Sequence, residues 1–126
     1  MCRILVAEDS FALANLLTFV LKNAGFAVDL HRNGQSALEA AQNHKYDLIL
    51  LDQQMPFKSG LEVIEAIRED GPNRQTPVFL CTAKSHELGT AEMQERLAIS
   101  AVFHKPFSPK ELVAQLKAFT LPAVVE

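Results

Sequence analysis

Four short runs of uninterrupted apolar residues most constrain what this chain can fold into: Ile4-Leu5-Val6-Ala7, Leu48-Ile49-Leu50-Leu51, Val78-Phe79-Leu80-Cys81 and Ala101-Val102-Phe103. A strand with one wet face alternates apolar and polar side chains. A run that is apolar at every position must be covered on both faces, which is what a parallel sheet between two helical layers requires. Phe26-Ala27-Val28-Asp29-Leu30 is less uniformly apolar and is expected at a sheet edge.

Helical patterns lie between these runs. Leu13, Leu16, Leu17, Val20, Leu21 and Ala24 recur at helical spacing as one buried stripe, and Gly25 supplies a stop. Asn33 to Asn43 reads as an alanine-rich helix. Ser59 and Glu62 have capping-box spacing, with Val63, Ile64 and Ile67 on one face behind them. Ser108-Pro109-Lys110-Glu111 joins an N-cap serine, a proline at the first helical position and a reciprocal glutamate. Leu112, Val113, Leu116 and Phe119 then form the buried stripe. Ser85 to Leu97 is a helix interrupted by Gly89 and Thr90. Five strands alternating with five helices predict a doubly wound α/β domain.

The length of 126 residues suits one core, with residues 1–120 as the domain and 121–126 as a tail. A net charge of -3 offers no basic face for direct contact with nucleic acid. Cys2 and Cys81 sit in or beside apolar runs and read as buried thiols, which suits a reducing, cytoplasmic setting. No secretory signal is visible. The longest apolar region, Phe11 to Val28, is broken by Asn15, Lys22, Asn23 and Gly25, so no membrane insertion is expected.

In doubly wound sheets, ligands bind beyond the carboxyl ends of the strands. Glu8 and Asp9 follow the first apolar run, Asp52 the third strand, Thr82 the fourth and Lys105 the fifth. The fold therefore collects three carboxylates, a hydroxyl and an ammonium at one end. Carboxylates held together repel one another unless a cation joins them. An all-oxygen donor set favours a hard ion such as Mg²⁺. A carboxylate nucleophile beside a cation, a lysine and a hydroxyl suits phosphoryl transfer to an aspartate.

These motifs, in this order, resemble the response-regulator receiver domain of two-component signalling over nearly the whole chain, from Ile4 to about Phe119. The likeness rests on Glu8-Asp9, on Leu50-Leu51-Asp52-Gln53-Gln54-Met55-Pro56, on Gly60, on Thr82-Ala83 and on Lys105-Pro106-Phe107. The resemblance implies a flavodoxin-like, chemotaxis-regulator-like sheet in the order 2-1-3-4-5. It implies that Asp52 accepts a phosphoryl group from a partner histidine kinase or phosphotransfer protein. Asp9 would ligate Mg²⁺ directly, Glu8 largely through a metal-bound water, and the backbone carbonyl of Gln54 would complete the protein ligands. Thr82 would hydrogen-bond the phosphoryl group, and Lys105 would pair with it, or with Asp52 before transfer. The Lys105-Pro106 bond would be cis. Lys84 and Gln54 would influence the lifetime of the phosphate. A downstream target would bind the face of the fourth helix, fifth strand and fifth helix, near Lys84 to Glu95 and Phe107 to Lys117. Such a domain is a signalling module that hydrolyses its own aspartyl phosphate, and not an enzyme on a diffusible substrate.

The chain departs from the family pattern in two places. Val102 stands three positions before the lysine, where an aromatic switch residue is usual, and Phe103 is expected to face the core instead. Ala98-Ile99 replaces a Gly-Ala pair, which leads us to expect a different loop shape. Two other readings compete. An aspartate-nucleophile phosphatase needs a second acid two residues after the nucleophile, and Gln54 stands there. A receiver-like interaction module that no longer switches is the other; the intact Glu8, Asp9, Asp52, Thr82 and Lys105 set argues against it, while Val102 keeps it open. Taken singly, Asp52 is a strand end, Thr82 a β-branched strand residue and Lys105 a solvated lysine. His31, His44 and His86 read as surface residues and His104 as facing away from Lys105, with no catalytic role for any of them.

Overall fold

The computed structural model describes residues 2–83 and 91–120. The elements run β1 (Arg3–Ala7), α1 (Phe11–Asn23), β2 (Ala27–His31), α2 (Gly34–Asn43), β3 (Leu48–Asp52), α3 (Gly60–Glu69), β4 (Val78–Thr82), α4 (Ala91–Arg96), β5 (Ile99–His104) and α5 (Pro109–Ala118). All the strands pair in parallel, in the order β2-β1-β3-β4-β5. This is the doubly wound sheet that the apolar runs predict. No described helix is long and apolar enough to cross a membrane.

The alternation of side chains along each strand divides the core in two. Ile4, Val6, Leu48, Leu50, Phe79, Cys81 and Phe103 meet α1 and α5 through Leu17, Leu21, Leu112 and Leu116. Leu5, Ala7, Ile49, Leu51, Val78 and Leu80 meet α2 and α3 through Ala37, Leu38, Ala41, Val63, Ile64 and Ile67. Burying one such Leu or Ile side chain fully contributes about 1.5–3 kcal/mol. The inner strands β1, β3 and β4 are therefore fixed in register by both layers.

The helix signals hold in most places. Ser59 and Glu62 form a complete capping box. Gly25 has φ 101°, a left-handed conformation in which a side chain would be strained. At α5 the structure gives the serine half of the box, with Glu111 N–H donating to Ser108 Oγ at 3.2 Å. Four expectations need correction. Leu16 lies on the solvent face of α1, and Ala14 takes its place in the buried stripe. Phe119 is half exposed, although its ring still meets Phe79 edge-on. β5 is longer than its apolar run and is mostly half-buried, because it is an edge strand. His31 is half-buried and bonded, as described below. The segment 84–90, with Lys84, His86 and the first part of the fourth helical pattern, lies outside the described residues.

Irregular connections are held by polar side chains, one buried and one half-buried. Asn73 donates to the carbonyls of Ala41 and His44 and accepts from Tyr46 N–H and Thr76 Oγ1. Arg68 donates to the carbonyls of Asn73, Arg74, Thr76, Leu97 and Ala98. It thereby secures the turn where Ala98 takes φ 55°. An alanine thus holds a left-handed conformation at the position where the resemblance leads one to expect glycine.

Gly60 begins α3 hard against β3 and β4. A Cβ there would lie 2.6 Å from Leu80 Cδ1 and 2.8 Å from the carbonyl oxygen of Asp52. Gly60→Ala is therefore expected to lower stability by about 1–3 kcal/mol in urea denaturation. Unchanged stability would contradict this close approach.

Candidate functional site

β1 and β3 are neighbours, and β3 pairs with β4. Parallel pairing brings their carboxyl ends to one edge of the sheet. Asp52 is the last residue of β3 and is 3% exposed. Glu8 follows β1, is 1% exposed, and is fixed by its own N–H donating to His31 O. Its Oε2 accepts from Ser10 N–H at 3.1 Å. Asp9 is exposed beside it. Side-chain oxygens of Glu8, Asp9 and Asp52 all lie within 4.8 Å of one another.

Lys105 reaches this cluster from the end of β5. Its Nζ lies 3.1 Å from Asp52 Oδ1 and 3.3 Å from Glu8 Oε1. Its backbone N–H donates to Thr82 O at 2.8 Å, so the loop after β5 is tied to the end of β4. The Lys105-Pro106 bond is cis, as the resemblance implies. Thr82 is the last residue of β4 and is buried. The fold thus brings together Glu8, Asp9, Asp52 and Lys105 in direct proximity, with Thr82 on the adjoining strand. Gln54 lies two residues after Asp52, with an exposed side chain.

Three carboxylates and one ammonium leave these side chains with a formal charge of -2. Burial, then Glu8 and Asp9, push the Asp52 carboxyl up to about 6 from its ordinary 3.8, against the pull of Lys105. For Lys105, burial lowers the ammonium, but Asp52 and Glu8 outweigh it and raise the group above its usual value. Asp52 Oδ1 is buried and faces the Lys105 ammonium at 3.1 Å, within a group of three carboxylates. An all-oxygen donor set with excess negative charge fits a hard divalent cation.

A family model, the response regulator receiver domain, matches residues 4–117. The chain belongs to this family. Receiver domains are phosphorylation-switched signalling modules that work with histidine kinases and downstream effectors, and they bind Mg²⁺ at an acidic site. This receiver domain is 37% identical over 116 residues to the transcriptional regulatory protein ResD of Bacillus subtilis, covering 92% of the chain and 47% of ResD. It is 38% identical to the DNA-binding response regulator MtrA of Mycolicibacterium smegmatis, covering 92% of the chain and 49% of MtrA. It therefore spans about half the length of these relatives. Among solved structures, the chemotaxis response regulator CheY4 of Vibrio cholerae superposes with a TM-score of 0.83 at 26% identity, covering 94% of this chain and 98% of that one. TrrA of Thermotoga maritima, solved in complex with Mg²⁺-BeF, gives 0.81 at 34% identity, with 94% and 99% covered. The receiver domain of the Pseudomonas aeruginosa sensor kinase PA1611, solved with magnesium in its active-site cleft, gives 0.82 at 27%, with 94% and 96% covered.

Some supporting residues escaped the sequence reading. Gln53 is buried and holds α3 to β3: its Oε1 accepts from Leu61 N–H at 3.0 Å, and its carbonyl accepts from Gly60 N–H at 3.1 Å. His31 is not a surface residue. Its Nδ1 bonds Ser36 Oγ, its Nε2 lies 3.2 Å from Asp29 Oδ1, and Tyr46 OH donates to Asp29 Oδ2. Asp29 and His31 stand two apart on β2 and so share a face, the one cue the sequence offers. His104 is exposed and His44 is exposed, as expected. Phe103 is buried beside Phe79, and Val102 packs on the opposite side of the sheet.

The raised Asp52 value has a defined consequence for stability. The folded chain binds a proton that the unfolded chain has already released. This contribution is fully present below the free value of 3.8 and is lost as pH rises through about 6. At pH 7 in chelator, Asp52→Asn is expected to be more stable than wild type by about 1–3 kcal/mol. Its advantage shrinks toward pH 4, which denaturant melts at the two pH values will read. An equal advantage at both values would contradict the assigned electrostatics.

Proposed function

We propose that Asp52 is the phosphoacceptor of a Mg²⁺-dependent receiver domain, charged by a sensor histidine kinase or a histidine phosphotransfer protein. The observation that carries this reading is the position of Asp52 within 3.1 Å of Lys105 Nζ and among the Glu8 and Asp9 carboxylates. Asp9 and Asp52 would hold the ion directly, Glu8 would act largely through a metal-bound water, and the Gln54 carbonyl would complete the protein ligands. When bound, Mg²⁺ supplies charge neutralisation for the carboxylates and the transferred oxygens.

In the transfer step, a carboxylate oxygen of Asp52 attacks phosphorus in line. The new P–O bond forms as the donor's P–N bond breaks. The electron pair stays on the imidazole nitrogen, which takes up a proton. Lys105 then follows the negative charge from Asp52 Oδ1 to a phosphoryl oxygen. Thr82 donates its hydroxyl to another. Later hydrolysis returns Asp52 and inorganic phosphate, with Gln54 and Lys84 influencing how long the phosphate survives. The domain supplies this chemistry to itself and acts as a switch, not as an enzyme on a diffusible substrate.

The phosphoryl group adds about two negative charges and new acceptor oxygens. Thr82 and Lys105, already tied through their backbones, are drawn toward it. Val102 pairs with Leu80 in register, two residues before the Thr82 position on the same face of the sheet. It therefore feels Thr82 move, but with a smaller side chain than the usual aromatic. We place the target on the face of residues 84–95, β5 and 107–117. We assign residues 1–120 to the receiver unit and 121–126 to a tail. The net charge of -3 argues against nucleic-acid contact by this unit, and the free cysteines suit the cytoplasm. A second reading, binding without switching, draws on Val102 alone.

Incubation with acetyl phosphate, followed by intact-mass measurement, tests the proposal. One phosphate is expected on the wild type with Mg²⁺, and none in chelator or on Asp52→Asn. Incorporation unaffected by the mutation would contradict it.

A further inference from the structure

Among the described residues, Phe57 combines the greatest exposure of any large apolar side chain with a conformation that disfavours it. Its ring is 82% exposed and its φ is 73°. Lys58 N–H donates to Pro56 O at 2.9 Å, a bond from one residue to the second before it. That bond and that φ define the γ-turn of positive φ, which is rare and strained. A bulky residue with a Cβ in this region is an outlier, whereas glycine or asparagine takes it readily. Exposure removes any packing reason for the ring.

The surrounding structure holds the turn where it is. Gly34 N–H donates to Pro56 O at 3.3 Å. A Cβ on Gly34 would lie 2.1 Å from Lys58 O, so the start of α2 is pressed against the turn. Behind it, the Gly60 N–H bond to Gln53 O closes the loop that leaves β3 directly after Asp52. Strain that the surroundings enforce in this way points to function when it stands beside a reactive group.

Phe57 is not alone at this rim. Phe11, at the start of α1 and two residues after Asp9, is 67% exposed. Arg32 lies over its ring at 5.2 Å and donates to Asp9 O at 2.9 Å. Since β1 and β3 are neighbours, the loops bearing Phe11 and Phe57 leave the same edge of the sheet, on adjacent strands. Asp52 itself is almost fully covered. A protein donor that delivers a phosphoryl group to it must press against that edge.

We infer that Phe57 is an anchor on which a phosphohistidine-bearing donor protein seats as it reaches Asp52. This rests on the reading of Asp52 as phosphoacceptor. A small phosphodonor enters without such a contact, so the two routes separate the anchor from the chemistry. Exposed aromatics that become buried at a contact commonly dominate its affinity.

The test compares acetyl phosphate with a panel of purified, autophosphorylated histidine-kinase cores, using the core that transfers fastest to wild type. Phe57→Asn removes the ring and relieves the turn, so its unfolding midpoint should rise. Its rate of transfer from the kinase core, divided by its rate with acetyl phosphate, should fall by roughly tenfold or more. The loss should appear in the KM for the phosphorylated core and not in kcat. Phe57→Tyr, which keeps the ring, should restore the ratio. An unchanged ratio in Phe57→Asn overturns the inference, and so does a wild type that acetyl phosphate labels but no core does. Failure of acetyl phosphate to label wild type instead overturns the reading of Asp52.

Discussion

Glu8, Asp9 and Asp52 repel one another, two of them are almost fully buried, and among the described residues a single lysine stands against them. Two unit charges about 4 Å apart interact by about 4 kcal/mol at an effective dielectric of about 20. One ammonium therefore cannot offset all the repulsions among three carboxylates. The chain must hold the cluster in place with the stability of its core. Order in the sheet makes this possible: β3 lies between β1 and β4, so Asp52 is flanked by the acidic turn on one side and Thr82 on the other. The result is a site with excess negative charge held in oxygen donors, which suits a hard metal ion.

The rest of the structure serves that placement. Gly60 lets α3 start in contact with the backbone of Asp52, and Gln53 fastens the same junction with both its carbonyl and its side chain. Lys105 is aimed from a loop whose backbone is bonded to Thr82. The ends of the fourth and fifth strands are thus tied directly, backbone to backbone. At the opposite end of the strands, Arg68 and Asn73 bind the connecting turns through carbonyl groups. These contacts stiffen the end of the frame opposite the charged site.

Much of this was legible in the sequence, for identifiable reasons. Uninterrupted apolar runs revealed strands covered on both faces, and the residues after them come together at one end of the sheet. Capping signals at Ser59 and Ser108 placed two helices closely. The failures also have causes. Leu16 and Phe119 obey helical spacing, but spacing does not say where the core ends. β5 reads as buried because its residues are apolar, yet it is an edge strand with half-exposed positions. The Asp29–His31–Tyr46–Ser36 network joins β2, α2 and the loop before β3, and only the i, i+2 spacing of Asp29 and His31 hints at it. The γ-turn at Phe57 was invisible, because nothing in a phenylalanine announces positive φ.

The central claim is that phosphate enters this domain on one carboxylate. The most direct measurement is chemical trapping of the site after Mg²⁺-dependent labelling. Borohydride reduces an aspartyl phosphate to homoserine, and peptide mass mapping then locates the altered residue. The account predicts homoserine at position 52 and at no other aspartate or glutamate. Homoserine at Asp9, or a stable phosphate on a hydroxyl residue with position 52 unaltered, would contradict it.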